Sequence, residues 1–92
     1  MMISINTVVS QRKDIDTTDL NGDKVMMDLE YGKYFSLNSV GSRIWELIEE
    51  PVEINKVIDL LLEEYDISRD ECEKNVLEFL GKLDNEKIIS VN

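Results

Sequence analysis

Short stretches before Leu37 alternate apolar and polar residues between turn signals, and beyond it apolar residues return every three or four positions. A period of two marks strands and a period near 3.6 marks helices, so the pattern predicts a β-rich first part followed by helices. Ile3, Ile5, Thr7 and Val9 alternate and predict an N-terminal strand. Asn21-Gly22 is the signal of a two-residue hairpin turn, because both central positions of such a turn take positive φ. The strand that follows, Lys24 to Leu29, places Val25, Met27 and Leu29 on one face and Lys24, Met26 and Asp28 on the other; the first set is expected to be buried. A turn containing Gly32 leads into a strand over Lys33 to Leu37, with Phe35 and Leu37 inward and Tyr34 and Ser36 outward. Together these predict a three-stranded antiparallel meander.

Three helices are predicted after it. Asn38 or Ser39 caps the first, whose stripe is Val40, Ile44, Leu47 and Ile48 with Trp45 at its margin, and Pro51 ends it. Ile54, Val57, Ile58, Leu61, Leu62 and Tyr65 form the stripe of the second, which stops at a break containing Asp66. Ser68 followed by Glu71 is a capping box opening the third, striped by Cys72, Val76, Phe79, Leu80 and Leu83. Lys87 to Val91 reads as a short terminal strand. The fold class expected is α+β and winged-helix-like, a β meander followed by three α-helices, in one domain spanning residues 1–92.

Composition narrows the chemistry. The 92 residues are 42% hydrophobic and include no apolar run near 18 residues, which argues for a globular chain and against a membrane-spanning helix. Twenty acidic and ten basic residues give a net charge of −10. Residues 1–50 hold five basic and nine acidic side chains, and residues 51–92 hold five and eleven, so neither part offers the clustered cations that a nucleic acid requires. Met1 to Val9 is apolar but lacks the charged start and the length of a secretory signal, and a cytoplasmic location is expected.

Candidates for catalysis are few. With no histidine and one cysteine, the chain has neither the usual metal-ligating cluster nor an internal disulfide. Cys72 lies between Glu71 and Glu73, whose charge opposes thiolate formation, so it reads as a small core residue. The carboxylate pairs Glu49-Glu50 and Glu63-Glu64 lack calcium-loop spacing, and the four glycines form no phosphate loop. No catalytic residue, metal or cofactor is expected.

The strand Lys33 to Leu37 ends the meander and would be left at an edge with unpaired backbone groups. Two outcomes are open from the pattern. Either the N-terminal strand or Lys87 to Val91 covers this edge, or the edge accepts an extended peptide as an added strand, with the third helix as the wall of a groove. On that helix the stripe from Cys72 through Val76 to Phe79 is flanked by Asn75 and Lys82.

Several segments in this order and spacing resemble a known family. They are Val25-Met26-Met27-Asp28-Leu29, Gly32 to Asn38, Gly41-Ser42-Arg43-Ile44-Trp45-Glu46-Leu47, Glu63-Glu64-Tyr65 and Val76 to Leu80, and together they extend over about residues 15 to 91. The chain resembles the small PqqD-like proteins, or RiPP recognition elements, which bind precursor peptides. Val8-Val9-Ser10-Gln11-Arg12 further resembles the stand-alone members found with lasso-peptide biosynthesis.

The resemblance implies a non-enzymatic winged-helix-type domain without a cofactor, which captures the leader of a ribosomally made precursor peptide. It implies that the leader adds to the third meander strand, at Lys33, Tyr34, Phe35, Ser36 and Leu37, and lies beside Cys72, Asn75, Val76 and Phe79 of the third helix. Chemistry would then be supplied by a separate leader peptidase, cyclase or radical enzyme, and the domain would be a monomer or an edge-paired dimer, without nucleic acid or membrane. The alternative is a winged-helix DNA-binding regulator, for which the third helix offers Lys74 and Lys82 in an acidic stretch.

Overall fold

The structure, a computed structural model, describes residues 3–21 and 23–92. Its elements in chain order are β1 (Val8–Gln11), β2 (Ile15–Leu20), β3 (Asp23–Asp28), β4 (Lys33–Leu37), α1 (Ser39–Leu47), β5 (Val52–Glu53), α2 (Ile54–Glu64), α3 (Arg69–Asn85) and β6 (Ile89–Val91). The fold is α+β, with a three-stranded meander and three helices as expected, but the first meander strand is Ile15–Leu20, which the sequence reading did not name, and the N-terminal strand belongs to another sheet.

The meander is the sheet β2-β3-β4, antiparallel throughout. Leu20 pairs with Asp23, so the connection is the two-residue turn that Asn21-Gly22 encodes, and Asn21 has φ of 54°. Gly22 itself lies outside the described residues. Between β3 and β4 the Gly32 N–H donates to the Asp28 carbonyl at 2.7 Å, and Gly32 takes φ of 68°, a conformation that glycine adopts without cost.

A second small sheet, absent from the sequence expectation, has the order β5-β1-β6. β1 starts later than the alternation from Ile3 predicts. The Ser4 N–H donates to Thr7 Oγ1 at 2.9 Å and the Thr7 N–H to the Ser4 carbonyl at 3.0 Å, a local turn that hydroxyl residues offer in competition with extended pairing. This segment has its own task. The Ile5 and Thr7 carbonyls accept from the Asn55 and Ile54 N–H groups, satisfying donors at the start of α2, whose N-cap Glu53 makes no side-chain bond.

The core gathers Val9, Met26, Leu37, Ile44, Trp45, Ile48, Ile54, Val57, Ile58, Leu61, Val76, Leu80, Leu83, Ile88 and Ile89. Each such side chain contributes roughly 1.5–3 kcal/mol on leaving water. Trp45, expected at a margin, is buried, whereas Val40 and Tyr65 of the predicted stripes are exposed.

The face of β3 is opposite to expectation. Met26 and Asp28 are fully buried, Val25 and Met27 are half-buried, and Leu29 beyond the strand end is 57% exposed. Pairing explains the inversion: Met26 lies opposite Phe35 and Lys24 opposite Leu37, so β3 residues of even number share the inward face of β4.

The edge question is also resolved. β6 pairs with β1 and β1 with β5, so among the described residues neither terminal segment covers β4, whose one strand partner is β3.

Candidate functional site

β4 is held in place from one side only. Ser42 Oγ accepts from the Lys24 N–H at 3.1 Å and donates to the Leu37 carbonyl at 3.3 Å, tying the start of α1 to β3 and β4. Asn38 caps α1 by accepting from the Gly41 N–H at 2.8 Å, which turns the chain sharply out of the strand. The other edge of β4, five residues long, presents its unpaired backbone groups to solvent. Phe35 and Leu37 face inward and Tyr34 and Ser36 outward, as the alternation predicts, and Tyr34 is 69% exposed.

Alongside the free edge runs a groove between β4 and α3, made of three clefts with shared walls. The middle cleft, about 390 Å³, is lined by Ser36, Leu37, Val40, Ile44, Asn75 and Phe79, with Asn38 and Gly41 at its back. A second, about 440 Å³, continues toward the start of β4 and the end of α3, where Phe35, Phe79, Lys82, Leu83 and Glu86 meet. A third, about 270 Å³, continues past α1 to the connection between α2 and α3, with Val40, Ile44, Tyr65, Asp66, Ile67, Cys72 and Val76 around it. β4 and α3 therefore run in opposite directions across the groove. Three shallow adjoining clefts suit successive side chains of an extended chain better than one compact small molecule, which needs an enclosing concavity.

Of the residues singled out in the sequence, Phe35, Ser36, Leu37, Asn75 and Phe79 line the groove. Cys72 and Val76 are nearly fully buried and form its floor at the far end. Lys33 and Tyr34 belong to the edge but not to the cleft walls; Lys33 Nζ lies 2.9 Å from Glu86 Oε2, and this hydrogen bond raises the Lys33 pKa. Lys82, which the sequence placed on the flank of the third-helix stripe, also lines the groove, whereas sequence reasoning missed Val40, Ile44, Tyr65, Asp66, Ile67 and Glu86 as groove residues. The available signal was Val40, which heads the apolar stripe of α1 one turn after a strand edge, a position that a packed core does not require.

The one thiol beside the groove is not activated. Burial pushes the Cys72 thiol pKa up, with Arg69 acting weakly in the opposite sense, which leaves a neutral thiol rather than a nucleophile. Among the described residues no group of His, Cys, Asp or Glu is placed to hold a metal ion, and no helix is long and apolar enough to cross a membrane. α3 is a poor reader of DNA: Arg69 is held by Asp59 and Asn55, and Lys74 and Lys82 are outnumbered by Asp70, Glu71, Glu73, Glu78 and Asp84.

The same architecture occurs in solved structures of peptide complexes. One, TbiB1 in complex with the TbiA(beta) leader peptide, matches with a TM-score of 0.81 and 30% sequence identity over 88% of this chain and 94% of that one. A second, lasso peptide synthetase B1 complexed with the leader peptide, matches with a TM-score of 0.78 over 89% of this chain and 96% of that one; its identity of 20% speaks for the fold alone. No curated protein matches the sequence. The family model of coenzyme PQQ synthesis protein D matches residues 23–89, most of the chain, and takes in the second and third meander strands and all three helices. The chain belongs to the PqqD family.

Proposed function

We propose that this protein captures the leader segment of a ribosomally synthesised precursor peptide and presents it to a separate processing enzyme. The observation that carries this reading is the free edge of β4 lying along an apolar groove. A leader added as a fourth strand of the meander would pair its backbone with β4 and set alternate side chains into the clefts beside Phe35, Leu37 and Phe79. Main-chain pairing supplies affinity without regard to sequence, and the clefts supply selectivity. The relatives bound to leader peptides support the reading, and those named for lasso peptides favour that class of pathway.

On this reading the protein performs no chemical step, works in the cytoplasm as a single recognition domain, and relies on a peptidase, cyclase or radical enzyme for chemistry. The site residues are Lys33 to Leu37 along the edge, Asn75 and Phe79 on the wall, and Cys72 and Val76 beneath.

Calorimetric titration with the leader encoded beside this protein's gene tests the proposal. One-to-one binding is expected, weakened at least tenfold by Ser36→Pro, which disrupts the strand backbone, and by Phe79→Ala, which opens two clefts, and unchanged by Glu63→Lys, which lies off the groove. Circular dichroism confirms that each variant is folded. Absence of binding to the wild-type chain overturns the reading.

A further inference from the structure

The groove is electrically polarised. Its middle cleft has no charged residue among its lining side chains, the cleft at the α2–α3 connection has Asp66, and the cleft at the end of α3 has Lys82 and Glu86. Glu86 is occupied by Lys33 at 2.9 Å, and Glu78, one turn before Lys82, makes no ion pair with it within 4.0 Å. Neither the Lys82 ammonium nor the Asp66 carboxylate has an ionic partner within 4.0 Å among the described residues. Two unpartnered charges of opposite sign thus stand at the two ends of an apolar trough, and both belong to exposed side chains that a guest can reach.

The length of α3 between the two end clefts sets a ruler for their spacing. Asp66 shares its cleft with Cys72, and Cys72 precedes Lys82 by ten residues of α3. At ~1.5 Å per helical residue that is about 15 Å. An extended strand rises ~3.3 Å per residue, so about five residues of a bound peptide cover the distance.

Resting on the peptide-capture reading above, we propose that Asp66 and Lys82 select the charge pattern of the bound segment. The preferred peptide carries a basic residue over Asp66 and an acidic residue over Lys82, about five residues apart, with apolar side chains between them. The reversed order of charges would set like against like at both ends of the groove, and the two ions therefore fix the direction in which the peptide lies. Because both contacts are exposed, the preference should weaken as salt is added, whereas affinity from the clefts should not.

The test is a selection from displayed random twelve-residue peptides on the full-length protein, in parallel with the double variant Asp66→Lys, Lys82→Glu. Both positions are exposed, and circular dichroism checks that the variant is folded. Enriched peptides should pair a Lys or Arg with an Asp or Glu four to six residues away in one constant order. A synthetic peptide of that order should bind about tenfold tighter than its charge-reversed twin at low salt, and the double variant should invert both results. Enriched peptides with no charge order, or an order unchanged in the variant, overturn this inference and leave peptide capture standing. Recovery of no peptide at all counts against both.

Discussion

Asp28 is the residue where pattern and structure disagree most, and the disagreement has a physical cause. An aspartate in an alternating strand is expected to face water, yet Asp28 is fully buried. Its Oδ1 accepts from Arg12 Nη2 at 3.0 Å and from the backbone N–H groups of Glu30 at 3.0 Å and Tyr31 at 3.3 Å. Arg12 reaches onward to the Lys87 carbonyl and to Asp14, so this one guanidinium joins the end of β1, the β3–β4 turn and the approach to β6. With consecutive methionines at 26 and 27 the apolar pattern of β3 reads equally well in either register; the Arg12 partner that decides it is sixteen residues away. Arg12 keeps Asp14 when Asp28 is removed, but the Glu30 and Tyr31 N–H groups and one arm of the guanidinium lose their shared acceptor, so Asp28→Ala should lower stability by about 3 kcal/mol in urea unfolding. Asp14→Ala, at an exposed position on the same arginine, should leave the midpoint nearly unchanged. Equal effects would refute a clamp centred on Asp28.

Among the elements, those with strong local signals were legible and those made by long-range pairing were not. The turn at Asn21 between Leu20 and Asp23, the Asn38 cap and the Ser68 cap, whose Oγ accepts from the Glu71 N–H at 3.3 Å, are local devices and stand where the sequence puts them. β5 is two residues long and exists through pairing with β1, which no local pattern announces. Half of the groove was legible for the same reason: Phe35, Leu37 and Phe79 follow from periodicity, whereas Val40 and Tyr65 depend on how α1 and the α2–α3 connection approach α3. That approach is set at Gly41. A Cβ there would stand 3.2 and 3.3 Å from the Phe79 ring and 3.4 Å from the Asn38 oxygen. The ring borders open clefts and can yield, and alanine favours a helix by up to ~1 kcal/mol over glycine, so Gly41→Ala should leave the unfolding midpoint unchanged or raised. The displaced ring would protrude into the groove, and peptide affinity should fall at least tenfold. Lost stability with affinity intact would contradict this role for Gly41.

For the whole molecule, a charge of −10 acts on stability in two opposite senses as pH falls. From pH 7 toward 5 the first carboxylates protonate and the net charge moves toward zero, relieving self-repulsion, and stability should rise. Below that range the ion pairs dominate. The hydrogen bond from Arg43 holds the Glu64 carboxyl below its ordinary 4.5, and Arg12 holds that of Asp14 below 3.8. With folded values depressed, the unfolded chain binds more protons in this window. The stability these pairs contribute is therefore fully present above the ordinary values and lost as pH falls through the lower folded ones. The expected profile is a maximum near pH 5 with a modest fall below about 4.5, because both pairs are partly exposed and screened by water. Urea midpoints measured from pH 7.5 to 3 in low salt should trace it. Added salt should flatten the limb above pH 5, which arises from exposed charges, and Glu64→Gln should make the acid limb shallower by removing one of the groups that titrate there. A midpoint falling steadily from pH 7 would show that the acidic surface exerts no net repulsion on the fold, leaving the ion pairs alone to set its response to acid.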